Sequence, residues 1–274
     1  IVSDMLGEKL NAEEKKRKDS NAFESSAEVL SISFDGYDGE LTVKEGEIVG
    51  LAGLAGSGRS SVLRTIWGTK PRSDIHLRYL GEEYKPKNPM YALKKKIAYI
   101  SEDRSESGLF FGQPIKETVL MAHRNLQRKL FVKNKSEDKL LGQIIGEVQI
   151  KVPTHECMPE ALSGGNQQKL LFGRWITDEA KLLLLDEPTR GVDIKTKHEI
   201  YQRVRKMVEA NNAGALVVSS ELEELVLMCD KVLIIRDGHV EDVLTGDRIT
   251  ENNMMAEITA SGNTKQQTED NKSV

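Results

Sequence analysis

Leu182-Leu183-Leu184-Leu185-Asp186-Glu187-Pro188-Thr189 places four aliphatic side chains directly before two carboxylates. Four apolar residues in a row, bounded by polar ones, read as a strand buried on both faces. The carboxylates then emerge at its C-terminal end, the edge at which open α/β sheets hold ligands. Two adjacent carboxylates at a strand tip need a counter-charge, which a metal–nucleotide complex supplies. Asp186 is the candidate magnesium ligand and Glu187 the candidate base for an attacking water. An acidic surface turn is the plainer alternative.

Upstream, residues 50–61 read Gly-Leu-Ala-Gly-Leu-Ala-Gly-Ser-Gly-Arg-Ser-Ser. Gly53, Gly56, Gly58, Arg59 and Ser60 fit the phosphate-loop pattern GxxxxGK[ST], with arginine where lysine belongs. Glycines let the backbone wrap a phosphate, and the helix that follows offers free N–H groups. The helix is expected to start at Ser60 and run through Val62, Leu63 and Ile66. Ser57 lies within the loop, Ser60 is a magnesium ligand candidate, and Ser61 is placed to help bind phosphate. Arginine keeps the charge of lysine but is a wide planar fork, so Arg59 alters the geometry. A plain glycine-rich strand-to-helix turn is the bland alternative.

Further strands are expected at 29–34, 41–43, 48–51, 97–100, 215–218 and 232–235, with a helix over 195–210 that aligns Ile200, Val204, Met207 and Val208. Strands alternating with helices imply a mostly parallel sheet covered by helices. Residues about 112–165 break this rhythm with helical segments and read as an inserted lobe. Residues 1–26 are charge-dense and read as a linker, and 261–274 as a frayed tail.

The 274 residues carry a formal net charge of −4, so no global positive field points to nucleic acid. No run is long enough to cross a bilayer. Cys157 and Cys229 lack metal-site spacing and read as ordinary thiols. His76, His123, His155, His198 and His239 form no ligand cluster.

Leu162-Ser163-Gly164-Gly165-Asn166-Gln167-Gln168 precedes a helical pattern holding Leu170, Leu171 and Trp175. Ser163 is a good N-cap, and the glycines admit an anion to the helix N-terminus. This segment resembles the signature motif of ATP-binding cassette proteins, and its spacing to Asp186-Glu187 is typical of them. Residues 186–193, Ile100-Ser101-Glu102-Asp103-Arg104 with Gly108-Leu109-Phe110, and Ser219-Ser220-Glu221-Leu222-Glu223-Glu224 resemble the carbohydrate-import branch. The resemblance covers roughly 27–250. It implies an α/β fold with a P-loop NTPase core, an N-terminal antiparallel β subdomain and the helical insertion. The cofactors it implies are ATP and Mg2+.

In that branch two cassettes are usually fused, and this chain looks like the second, with Met5-Leu6-Gly7-Glu8-Lys9-Leu10 resembling the tail of the first. The cassettes pair head to tail, so that Ser163, Gly164, Gly165, Asn166 and Gln167 would face the partner's nucleotide. Transmembrane permease subunits are the implied docking partners, at the cytoplasmic face of the membrane, with an external solute-binding protein delivering a sugar, a sugar-like solute or a nucleoside. The helical lobe and residues 102–120 are the expected docking region. In that region Phe110 and Phe111 stand either in an exposed patch or inside the lobe. Adenine is expected to stack on Phe34 or Tyr37. Asp193 is read as lining the dimer seam, capping the helix after it, or both.

Three positions depart from the family pattern: Arg59 for lysine, Glu102 for the usual glutamine and Ser220 for the usual switch histidine. A carboxylate at Glu102 repels phosphate but attracts magnesium. Ser220 can donate one hydrogen bond but carries no charge. Both changes weaken electrostatic stabilisation of the transition state. The expectation is an intact signature beside a degenerate phosphate site. A regulatory or assembly subunit with little turnover is the alternative. A DNA-repair or ribosomal cassette would show coiled-coil arms, zinc cysteines or a basic face, and none is visible in the sequence.

Overall fold

The structure is a computed structural model and describes residues 23–104, 108–127, 134–175 and 179–260. The expectations for 1–22 and 261–274 therefore lie outside the described residues.

Two sheets carry the fold. Strands β1 (Glu28–Phe34), β2 (Tyr37–Lys44), β4 (Ile75–Tyr79) and β5 (Glu82–Glu83) form an antiparallel sheet in the order β2-β1-β4-β5. Strands β3 (Ile48–Ala52), β6 (Ile97–Ile100), β7 (Leu182–Asp186), β8 (Gly214–Val218), β9 (Lys231–Arg236) and β10 (His239–Thr245) form the second, in the order β10-β9-β3-β8-β7-β6. Its pairings are parallel except at the β9–β10 hairpin. This is the expected α/β fold with a mainly parallel core and an N-terminal antiparallel sheet.

The apolar runs have a physical reason. Along β7, Leu183 and Leu185 face one core while Leu182 and Leu184 face the other. Along β8, Ala215 and Val217 divide in the same way from Leu216 and Val218. A strand covered on both faces cannot alternate apolar with polar. One core joins the antiparallel sheet to helix α1 (Arg59–Trp67). The other joins the opposite face of the parallel sheet to the remaining helices: α3 (Ile115–Gln127), α4 (Asn134–Glu147), α5 (Gly164–Gly173), α6 (Ile194–Ala210), α7 (Leu222–Met228) and α8 (Glu251–Ala260). The short helix α2 (Pro89–Lys94) leads into β6.

The interval 112–165 contains α3 and α4. Arg124 on α3 grips Glu137 on α4 with two bonds, of 2.6 and 2.7 Å, a bidentate geometry that fixes one helix against the other. Behind them Arg174 is buried, donating from Nε to the Thr118 carbonyl at 3.0 Å and from Nη2 to the Gly108 carbonyl. Burial pushes its pKa down to about 10, so it stays charged at neutral pH. Arg174→Met should fill the volume but strand both carbonyls. We expect a loss of about 2–4 kcal/mol in urea unfolding, with the m-value unchanged.

Three strands were not among those expected. In β4 the buried residues Ile75, Leu77 and Tyr79 alternate with exposed His76 and Arg78. In β10 a register shift between Val240 and Asp242 breaks the alternation. β5 has two residues, both exposed.

Candidate functional site

Strands β3 and β7 flank β8 and run parallel to it, which brings residues 53–61 to the same sheet edge as Asp186 and Glu187. The loop owes its shape to two close approaches. A Cβ on Gly53 would lie 2.4 Å from the Ile235 carbonyl oxygen, and one on Gly58 would lie 2.7 Å from the Gly238 Cα. Gly58 also has φ +95°, which favours glycine. It stands at the N-cap of α1, so the helix begins at Arg59, one residue before the sequence reading placed it. The Gly238 N–H donates to the Ser57 carbonyl at 2.6 Å, which ties the loop to the β9–β10 turn.

Ser60 Oγ donates to Asp186 Oδ1 at 2.7 Å, and the Tyr99 hydroxyl donates to Asp186 Oδ2 at 3.1 Å. Arg64 stands 4.0 Å from the same oxygen. Burial nevertheless raises the Asp186 pKa, against the two hydrogen bonds and Arg64. A buried carboxylate under-compensated in this way, touching a hydroxyl at a phosphate loop, offers oxygen donors of the kind a hard divalent cation takes. Magnesium sites commonly use one or two carboxylates plus substrate phosphates, so the absence of a His/Cys/Asp/Glu cluster among the described residues is compatible with one.

Glu187 has φ +50°, a left-handed conformation that costs a non-glycine residue about 1–2 kcal/mol. Its N–H donates to the Val218 carbonyl at 2.9 Å, and the Ser220 hydroxyl donates to its Oε2 at 3.0 Å. Arg59 Nη1 donates to the Ser219 carbonyl at 2.7 Å. Burial lowers the Arg59 pKa, while Glu187, Asp186 and Glu102 act to raise it. Glu102 thus acts on this cluster, but its carboxylate is ion-paired with Arg190. Ser61 accepts a hydrogen bond from Lys70 Nζ at 3.0 Å.

Of the two aromatic candidates, Phe34 lies in the core, 4 % exposed and edge-on to His239. It has no open face for a ring. Tyr37 is 52 % exposed and stacks on His239 at 3.7 Å, with a 10° interplanar angle, which leaves its other face available.

Ser163 caps α5, its hydroxyl accepting from the Asn166 N–H at 3.4 Å. Gly164 accepts from Arg104 Nη1 at 3.0 Å, and a Cβ on Gly165 would lie 3.0 Å from Thr196 Oγ1. Asn166 Oδ1 accepts from the Lys151 N–H at 3.3 Å, and Gln167 Nε2 donates to the Pro159 carbonyl at 3.0 Å. Gly165 therefore serves a close contact with the first turn of α6, while Gly164 lies against the Gly191 carbonyl and Arg104. Asp193 caps α6, accepting from the Thr196 N–H at 3.0 Å and Thr196 Oγ1 at 2.8 Å. Beside it Ile194 is 71 % exposed. In the expected docking region Leu109 is buried, while Phe110 and Phe111 are each 40 % exposed.

Sequence reasoning missed Tyr99, Arg64, His239 and the Thr189–Glu224–Ser219 contacts. Tyr99 had a signal: it is the one polar-tipped residue of the apolar run at 97–100, which pairs with β7. The others depend on long-range packing.

A glycine loop at the end of β3, leading into a helix and facing an Asp-Glu pair at the end of β7, defines a P-loop nucleotide-binding domain. Comparison with known proteins makes this specific. The ABC transporter family model matches residues 38–190, and the chain belongs to that family. It is 36 % identical over 235 residues to the ribose import ATP-binding protein RbsA 1 of Burkholderia thailandensis, covering 85 % of this chain and 46 % of that protein. It is 33 % identical over 262 residues to the ribose import ATP-binding protein RbsA of Oceanobacillus iheyensis, covering 94 % and 52 %. The chain thus spans about half the length of these relatives. Its fold is also that of an ATP-binding cassette of an ABC transporter in the ADP conformation (TM-score 0.66, 17 % identity, 85 % of this chain and 95 % of that one) and of a dimeric bacterial ABC transporter cassette (0.66, 18 %, 79 % and 98 %). Among the described residues no helix is long and apolar enough to cross a membrane.

Proposed function

We propose that the chain binds Mg-ATP on residues 53–61 and contributes to its hydrolysis, driving import of a sugar or sugar-like solute through membrane permease subunits. The carrying observation is the meeting of Ser60, Asp186, Glu187 and Ser220 at one sheet edge. Loop N–H groups and Arg59 hold the phosphates. Ser60 and Asp186 hold the cation, with Glu102 beside them. Bound there, magnesium would neutralise developing charge on the phosphate oxygens. Glu187 orients an attacking water and takes its proton, and Ser220 fixes the Glu187 carboxylate. The open face of Tyr37 receives adenine. The sugar class rests on the ribose-import relatives. A second cassette, fused or separate, would be met by Ser163, Gly164, Gly165, Asn166, Gln167 and Asp193. Exposed Phe110 and Phe111 suit a permease contact at the cytoplasmic face, with an external solute-binding protein beyond it.

Calorimetry with Mg-ATP, joined to a phosphate-release assay, tests this reading. Binding with slow release supports it, and no binding defeats it. Tyr37→Ala should weaken ATP binding about tenfold, as expected for loss of a base–aromatic stack, while Tyr37→Phe should not. A second reading, a nucleotide-binding regulatory or assembly subunit with little turnover, has an observation of its own. Arg59 is engaged with Ser219 and Glu102 with Arg190, so two charged groups of the site are occupied by the protein itself. Tight binding without phosphate release, with a partner cassette supplied, would favour it.

A further inference from the structure

The register between the two strands β7 and β8 ends at Asp186 and Val218, beyond which the Glu187 N–H still donates to the Val218 carbonyl. One goes on through Glu187 to Thr189, the other through Ser219 and Ser220 to α7. On α7, Glu224 is 2 % exposed and lies between them. Its Oε1 accepts from Thr189 Oγ1 at 2.7 Å and its Oε2 accepts from Ser219 Oγ. Ser219 Oγ in turn accepts from the Glu221 N–H at 3.0 Å, and the Ser219 carbonyl is the one that holds Arg59. Thr189 and Ser219 are both fully buried.

We propose that Glu224 is a positioning residue for ATP hydrolysis: by taking the hydroxyls of Thr189 and Ser219 together, it fixes the segment that carries Ser220 and the Arg59 contact against the segment that carries Glu187. The proposal rests on the reading of Glu187 as the base. A carboxylate is a costly choice for merely filling this space, since its two contacts are neutral hydroxyls and burying charge is unfavourable. Lys197, the cation that acts on it from α6, is itself paired with Glu221. Both hydroxyls donate to Glu224 here; a glutamine keeps one acceptor and must meet the other hydroxyl as a donor, which reverses that bond, and an apolar residue keeps neither.

The same burial pushes the Glu224 carboxyl up to about 7, against its hydrogen bonds to Ser219 and Thr189 and with Glu187 adding repulsion. Tyr201 of α6, whose phenol reaches Thr189, and Glu221 and Glu223 of α7 are the other titratable groups nearby. Below about pH 7 the carboxyl carries a proton, so one of its oxygens turns donor and one of its two hydroxyl bonds must reverse or weaken. The sign for stability is opposite: a carboxyl with a raised folded pKa is a burden on the fold once ionised, so removing its charge relieves the folded state at pH 8.

Glu224→Gln and Thr189→Val, made in the full chain, test the idea. Both should lower kcat about tenfold or more while leaving KM within about twofold, because a displaced catalytic group loses rate rather than substrate binding. Glu224→Gln should keep or raise the Tm at pH 8, and its kcat should lose the decline that the parent shows as pH falls through about 7. Amide exchange reads the same tie without turnover: residues 186–191 and 217–222 should exchange about tenfold faster in both variants, at pH 8 and without nucleotide. Unchanged exchange in both segments overturns the proposal, as does a loss of kcat that comes only with a lowered Tm and weakened ATP binding. Glu187→Gln separates the two readings. Parent-level turnover in that variant defeats the assignment of the base, whereas the exchange experiment judges Glu224 alone.

Discussion

Glu187→Gln should lower ATP turnover about a hundredfold or more while leaving Mg-ATP affinity within a few-fold of the parent. The amide keeps the shape of the side chain and can still accept from Ser220, whose hydroxyl meets Glu187 Oε2 at 3.0 Å. It cannot take a proton from water. The residue does not depend on its charge for its place, because its backbone N–H is held by the Val218 carbonyl and its left-handed φ is set by the turn after β7. Phosphate release under saturating ATP and calorimetry on the same preparations give the two numbers. Rate and affinity falling together would mean that Glu187 organises the site rather than acting in the chemical step. An unchanged rate would remove it from the chemistry.

Much of this was legible in the sequence because the informative segments are local. Four leucines bounded by Asp186-Glu187 have the length of a strand covered on both faces, and β8 beside it and β3 beyond repeat the pattern. The glycines of the loop at 53–61 mark a tight turn after β3, and Gly53 and Gly58 are where the chain runs close to Ile235 and Gly238. The less legible parts fall into two kinds. Strands β4 and β10 carry charged residues on one side, and β10 is broken by a bulge, so no apolar run marks them. The other kind is contact between distant residues. Phe34 and Tyr37 are both aromatic and close in sequence, and only packing separates them: Phe34 enters the core beside His239, while Tyr37 stacks on His239 and stays half exposed. Glu224 likewise looks like one of three glutamates at the start of a surface helix, with Glu221 and Glu223, until α7 turns it inward between two strand ends.

Arg59→Met is expected to weaken Mg-ATP binding about tenfold to a hundredfold, and Arg59→Lys to restore most of that loss. Hydrogen bonds to a charged partner are worth about 1.5–3 kcal/mol, and the methionine removes those a phosphate would receive. It also removes a cation on which Glu187, Asp186 and Glu102 all act, so an incoming phosphate would meet an acidic edge with less to offset it. The lysine variant is the more informative. In the parent, the guanidinium reaches across to the Ser219 carbonyl at 2.7 Å, so nucleotide must share or displace that contact. Lysine carries the same charge as a point rather than a fork, and its donors can turn to the phosphates without keeping a second partner in place. If the Arg59–Ser219 contact restrains the site, Arg59→Lys should bind at least as well as the parent and release phosphate faster. If instead the fork orients the phosphates while it holds Ser219, the lysine variant should bind normally and turn over more slowly. Methionine binding as tightly as arginine would defeat both accounts, because residues 53–61 would then hold nucleotide through backbone N–H groups without a side-chain cation.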